Sequence, residues 1–168
     1  MVFTGTYEHS IDQKNRLAIP AEIRSQIQRD LGEGQDGAVS VYVVAGGSDR
    51  AGSLLSLYTE ESFEKQAARL DESQQEPEDV LEYETLVFSL ARKVELDKQG
   101  RIRLPESLKQ RAGLGSDVVI LGAKDHVEIR DRASWNAYVE QRLRERPDLL
   151  RNPRLAMRQR GDQGNRNA

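Results

Sequence analysis

Ile11-Asp12-Gln13-Lys14-Asn15-Arg16-Leu17 returns 85 residues later as Leu96-Asp97-Lys98-Gln99-Gly100-Arg101-Ile102, and both copies run on into an apolar-Pro pair, Ile19-Pro20 and Leu104-Pro105. The chain is therefore a duplicated unit, which fixes the architecture before any single element is assigned. The same offset places Asp12 on Asp97, Arg16 on Arg101, Leu17 on Ile102 and Ile23 on Leu108. Near the far end of each half, Leu55-Ser56-Leu57-Tyr58 ahead of Ser62-Phe63 matches Val127-Glu128-Ile129-Arg130 ahead of Ser134-Trp135, now at an offset of 72. The first copy must carry 13 extra residues. Residues 33–37 and 46–53, rich in Gly, Ser and Asp, are the expected places, as surface loops.

Each copy reads as a short strand, a tight turn, a second short strand and a helix, with Pro20 and Pro105 at its first position, where a proline loses no hydrogen bond. Ile23, Ile27 and Leu31 recur at helical spacing in the first copy, as do Leu108 and Ala112 in the second, and these faces are core. The β-branched runs Val39-Ser40-Val41-Tyr42-Val43-Val44 and Asp117-Val118-Val119-Ile120-Leu121-Gly122 predict strands, followed by second strands over 54–58 and 126–130. Thr59 caps a helix reaching about Leu70, with Glu60 and Glu61 in its first turn. Asp131 opens the equivalent helix, which carries Trp135, Tyr138, Val139 and Leu143 on one side. Val80, Tyr83, Leu86, Val87 and Leu90 make residues 79–91 an amphipathic connector helix, started by Pro77 and Glu78.

Two copies of fewer than 60 residues bury little surface alone, so one joint core is expected. The chain has 168 residues, no Cys and a net charge of −3. Disulfides, thiol catalysis and Cys-ligated zinc are excluded by composition. The N-terminus has neither a basic nor an apolar signal region, and no apolar run approaches the roughly 20 residues of a bilayer helix. A soluble, unexported protein is the expectation. Charge is distributed unevenly: residues 60–84 hold ten acids against Lys65 and Arg69, whereas residues 142–168 hold eight Arg against three acids. The acidic stretch reads as a solvated helical face. The tail from about Arg151 reads as disordered, either solubilising or adding phosphate contacts.

Catalytic options are few. His9 and His126 occupy non-equivalent places, and there is no nucleophile elbow, no Gly-Lys-Thr phosphate loop and no calcium-loop string. The Gly-rich stretch at 46–53 reads as a hairpin loop. No enzyme activity, cofactor, metal or small-molecule substrate is expected. The doubled Asp-x-x-x-Arg turn remains. Its tight reversal needs a residue that tolerates positive φ, which Gly100 supplies in the second copy and Asn15 in the first. The turn throws Lys14 and Arg16, or Lys98 and Arg101, to one side, with Asp12 or Asp97 close enough to orient the guanidinium. Such a pair either staples the hairpin or holds an Arg fork ready for a guanine edge or a phosphate.

These strings, from Gly5 and Tyr7 through Asp12-Gln13-Lys14-Asn15-Arg16-Leu17-Ala18-Ile19-Pro20, and again Asp97-Lys98-Gln99-Gly100-Arg101-Ile102-Arg103-Leu104-Pro105, resemble the MraZ family, built from two AbrB-like (SpoVT-AbrB) units. The likeness covers about residues 1–146. It implies an α+β fold: two tandem swapped-hairpin, double-split β-α-β units forming a pseudo-dimer within one chain. The corresponding divisions are 6–61 and 91–134 for the two units, 62–90 for a helical connector, 135–150 for a C-terminal helix and 151–168 for the Arg-rich tail. The resemblance further implies a ring-shaped homo-oligomer, located in the cytoplasm on the nucleoid, that regulates transcription of the division and cell-wall gene cluster, including its own promoter. Arg16, Arg101, Lys14, Lys98 and Arg103 become the candidate DNA-binding residues, with Asp12 and Asp97 orienting the Arg side chains and Asn15 and Gly100 setting the turns. Double-stranded DNA carrying direct repeats is the expected partner, read by several hairpins at once. The competing expectation is a ring-forming protein-interaction module of the AbrB or antitoxin-like type, without specific DNA readout.

Overall fold

The computed structural model describes residues 1–31, 37–72, 77–151 and 153. Strand β1 (Thr6–Ser10), strand β2 (Arg16–Ala18), helix α1 (Ala21–Asp30), strand β3 (Ser40–Asp49), strand β4 (Gly52–Tyr58) and helix α2 (Glu60–Asp71) build the first half. Helix α3 (Pro77–Leu90) connects it to β5 (Arg92–Glu95), β6 (Arg101–Arg103), α4 (Glu106–Arg111), β7 (Asp117–Gly122), β8 (Val127–Asp131) and α5 (Arg132–Glu145). A 3-10 turn, Pro147–Leu150, follows. The fold is α+β, and the order of elements repeats as the duplicated sequence requires.

The halves exchange strands. The main sheet runs β1-β7-β8-β4-β3-β5, all neighbours antiparallel, so each half's first strand lies against the other half's third. A second sheet consists of β2 and β6 alone, with Leu17 opposite Ile102 at its centre. Both sheets share one pseudo-twofold axis, passing between β4 and β8 and through the Leu17–Ile102 pair. The two short strands flanking each turn do not pair with one another: β1 takes β7 and β2 takes β6, an exchange of the kind the swapped-hairpin resemblance implies. Alternation explains this. Leu17 and Ile102, each the middle residue of a three-residue strand, are fully buried, and their only apolar environment is the core made jointly by both halves.

That core is continuous. Ile19, Ile23, Ile27, Leu104, Leu108 and Ala112 from the α1 and α4 segments meet Val41, Val43, Leu55, Leu57, Val118, Ile120, Val127 and Ile129 from one sheet face. Leu31, expected in the same stripe, ends α1 and is only half-buried. Pro20 and Pro105 stand one position earlier than expected, as N-caps with ψ of 141° and 129°, because extended ψ there lets the chain leave the ribbon before the first helical turn. The expected Thr59 and Asp131 caps do form, accepting from the backbone N–H of Ser62 and Ser134.

The other sheet face carries α2, α3 and α5. Phe63 stacks on Tyr42 and meets Phe88 of α3, while the Arg130 guanidinium lies 5.3 Å from the centre of the Trp135 ring. Of the two stretches expected to loop out, residues 33–36 lie outside the described residues. Residues 46–53 correct the expectation: β3 and β4 continue pairing through Ser48 and Ser53 to a turn at Arg50 and Ala51, past a register shift after Ala45. Gly and Ser content read as loop, but a ladder needs only backbone. Here the turn is fastened by Asp49, which accepts from Ala51 N–H and takes two bonds from the buried Arg130.

Candidate nucleic-acid interface

Each turn is closed by its own Asp. Asp12 N–H donates to Arg16 C=O (3.0 Å) and Asn15 N–H donates to Asp12 C=O (3.0 Å), and the second copy repeats both bonds between Asp97, Arg101 and Gly100. One carboxylate oxygen of Asp12 accepts from the backbone N–H of Lys14 and Arg16, and the other from Arg16 Nε at 2.7 Å. Asp97 does the same with Gln99, Arg101 and Arg101 Nε, the last at 2.9 Å. These bonds, backbone first, hold both carboxyls below the usual carboxylate range, so they stay charged at neutral pH. The expected positive φ occurs at both positions, 59° at Asn15 and 74° at Gly100.

The two turns are braced across the axis. Ile19 N–H donates to Gly100 C=O and Leu104 N–H to Asn15 C=O, so each turn is hydrogen-bonded to the opposite half. The side chains covering them differ. The Asn15 amide donates to Glu106 and accepts from Lys109 Nζ (3.1 Å), whereas Arg24, which the 85-residue offset aligns with Lys109, lies directly over Gly100. A Cβ at position 100 would come 2.4 Å from Arg24 Nη1 and 2.6 Å from its Cδ. Glycine suits this turn by φ, as Asn15 suits the first, and a Cβ here would in addition have to displace the Arg24 side chain. Gly100→Ala should cost roughly 1–2 kcal/mol for the left-handed backbone alone, lowering Tm by at least a few degrees. An unchanged melting curve would show that neither constraint operates.

With Leu17 and Ile102 turned into the core, Arg16, Ala18, Arg101 and Arg103 occupy the opposite, outward face of the β2–β6 ribbon. The register sets Arg16 directly across from Arg103. Like charges at facing positions destabilise a ribbon, so stability does not account for this pair. Lys14 and Lys98 are exposed on the adjoining turns. Arg16 and Arg101 commit Nε to their Asp partners, and among the described residues their Nη atoms make no hydrogen bond. Each side chain is about 30% exposed. What results is a pair of guanidinium forks, each fixed at its inner edge and open at its outer one.

All nine residues singled out in the sequence thus fall on one ribbon and its two turns. Arg24 and Lys109 were missed. Their signal was available, since the 85-residue offset carries one basic residue onto the other, but each alone looked like an exposed helical charge. The chain of His126, Glu128, Arg130 and Asp49 on the outer sheet face also escaped notice. His126 Nε2 lies 3.2 Å from Glu128, which accepts from Arg130 Nε at 2.8 Å. Among the described residues no group of three or more His, Cys, Asp or Glu is placed to hold a metal, and no helix is long and apolar enough to cross a membrane.

The family described as "MraZ protein, putative antitoxin-like" matches residues 2–82 and again residues 87–148. Three curated relatives bear the name transcriptional regulator MraZ. That of Acetivibrio thermocellus is 34% identical over 137 residues, 82% of this chain and 86% of the relative. The Thermomicrobium roseum protein is 34% identical over 148 residues, 88% of this chain and 94% of its own length. The Mycoplasmoides gallisepticum protein is 33% identical over 141 residues, covering 83% and 88% respectively.

Proposed function

The chain belongs to the MraZ family, and from that membership and the paired forks we propose that it is a transcriptional regulator that binds duplex DNA through the outward face of the β2–β6 ribbon. The observation carrying this is the pair of Arg side chains held at Nε with their Nη atoms unspent. A guanidinium presented edge-on matches the O6 and N7 acceptors of guanine in the major groove, which admits a two-stranded ribbon. In this proposal Arg16 and Arg101 read bases, while Lys14, Lys98 and Arg103 neutralise phosphates. Asp12 and Asp97 keep the forks aimed, and Asn15 and Gly100 set the turns.

Each chain presents two forks related by a pseudo-twofold axis, and self-association into a ring would repeat them around a rim. Promoter DNA with direct repeats is the proposed target, in the division and cell-wall gene cluster and the regulator's own promoter, with the protein acting on the nucleoid in the cytoplasm. Linkage raises the effective concentration of each further fork once the first has bound. Affinity for fragments with one, two and more repeats should therefore climb with repeat number. Inserting about half a helical turn, ~5 base pairs, between repeats should abolish the gain by moving alternate sites to the opposite face. Affinity indifferent to both changes would defeat the repeat-reading proposal.

The alternative is a ring-forming module that binds a protein, favoured by the words "antitoxin-like" in the family description. Salt separates the two. Phosphate neutralisation makes log K fall with log salt at a slope of about −0.9 per contact on B-form DNA, whereas a protein interface dominated by apolar burial responds little.

A further inference from the structure

Among the described residues, helix α3 has no counterpart in the second half. It follows α2 and covers the outer sheet face, whereas the last element described after the pseudo-equivalent α5 is the Pro147–Leu150 turn. Between α3 and the long β3–β4 hairpin lies a groove of about 460 Å3, whose apolar walls include Val44, Leu54, Tyr58, Tyr83, Leu86 and Val87. Leu86 is 54% exposed and Tyr83 43%. Beside them α3 carries Glu78, Asp79, Glu82 and Glu84 and no Lys or Arg. Asp49 and Glu128, at the polar end of the groove, already serve Arg130.

At the other end of the chain stands a feature of opposite character. Leu150 is 78% exposed, the most of any large apolar side chain among the described residues, with Leu149 at 38% and Leu143 at 39%. Arg142, Arg144, Arg146 and Arg151 flank these leucines in sequence; Arg142 and Arg146 pair with Glu145 and Asp148, and Arg144 and Arg151 make no ion pair among the described residues. An apolar groove walled by an acidic helix and an apolar knob set among arginines match in both polarity and sign. Identical chains supply the two in equal number.

We propose that the Pro147–Leu150 turn of one copy seats in the α3 groove of the next, Leu149 and Leu150 entering between Tyr83 and Leu86 while the flanking arginines face the acids of α3. The inference rests on the self-association proposed above and deepens it by naming the joined faces. Because the faces are different, the contact is heterologous, joining copies head to tail, and it closes into a ring when the rotation between neighbours allows. It leaves the DNA-facing ribbon uninvolved.

Two variants test this, each introducing a repelling charge at an exposed position: Leu150→Asp on the knob and Leu86→Arg in the groove. Sedimentation velocity of the full chain should show an assembled wild type and a monomer for each variant, with far-ultraviolet circular dichroism spectra unchanged. Mixing the variants is the decisive step. The mixture restores one intact pair, the knob of the Leu86→Arg chain and the groove of the Leu150→Asp chain, and sets the new carboxylate against the new guanidinium at the other, so it should assemble where neither variant alone does. Variants that assemble like the wild type would overturn the named faces while leaving self-association standing. A mixture that stays monomeric would overturn the head-to-tail pairing. A monomeric wild type would overturn this inference and the ring together, whereas Arg16→Ala, assembled but defective on DNA, would mark a failure of neither.

Discussion

The double variant Arg16→Ala/Arg101→Ala will lose specific binding to promoter DNA while melting within a degree or two of the wild type. Each bidentate Arg–guanine pair contributes ~1–3 kcal/mol of discrimination, so removing two cuts specific affinity by between tens and tens of thousands of fold. Non-specific binding survives through Lys14, Lys98 and Arg103 and keeps its salt dependence. The fold is spared because both side chains lie on the outward ribbon face and pair only with exposed carboxylates, and surface pairs of this kind contribute about 0–1 kcal/mol. The measurement is fluorescence anisotropy on specific and scrambled fragments of equal length. Unaltered discrimination between them would remove the forks from the recognition mechanism.

Leu17→Asp should abolish cooperative folding. Leu17 is fully buried opposite Ile102, at the point where both halves meet. Losing the leucine alone costs about 2–5 kcal/mol. A carboxylate there has no cation within the apolar cluster, and burying an unpaired charge adds several kcal/mol more. Against a total stability of roughly 5–15 kcal/mol, the sum consumes most or all of what holds the chain together. Thermal denaturation followed by circular dichroism should show no sharp transition. A variant melting within a few degrees of the wild type would mean that the ribbon is peripheral to folding.

Most of the candidate site was legible in the sequence because its determinants are local. An Asp four residues before an Arg, with Asn or Gly between, closes its turn with bonds that never leave that turn, and duplication made the pattern visible twice. The caps at Thr59 and Asp131 and the apolar stripe of α1 were legible for the same reason. Which half each strand joins is not written in the residue pattern and came only from the swapped-hairpin resemblance. Thr6–Ser10 has the same alternation whether it pairs within its own half or with residues 117–121, and only the shared core distinguishes the two. The loop assigned to residues 46–53 failed on composition: glycine and serine argue against a strand that must pack side chains, not against one fastened at its tip by Asp49 and Arg130. Arg24 over Gly100 was invisible because it brings together positions 76 apart in the chain.

The strand exchange has a consequence for how the protein is made. Residues 6–10 leave the ribosome more than a hundred residues ahead of their ladder partners, Leu121 back to Asp117. Throughout synthesis of the first half, this strand lacks the edge it will finally join, and Leu17 waits 85 residues for Ile102. The nascent first half can form α1, α2 and the β3–β4 hairpin, but it exposes the apolar face that will become the shared interior. Long-range pairing of this kind is slow and leaves sticky surface uncovered while it is pending. Docking of β1 thus waits for residues 117–121, and the interval before it is when two emerging chains from one message could exchange these strands instead of keeping them.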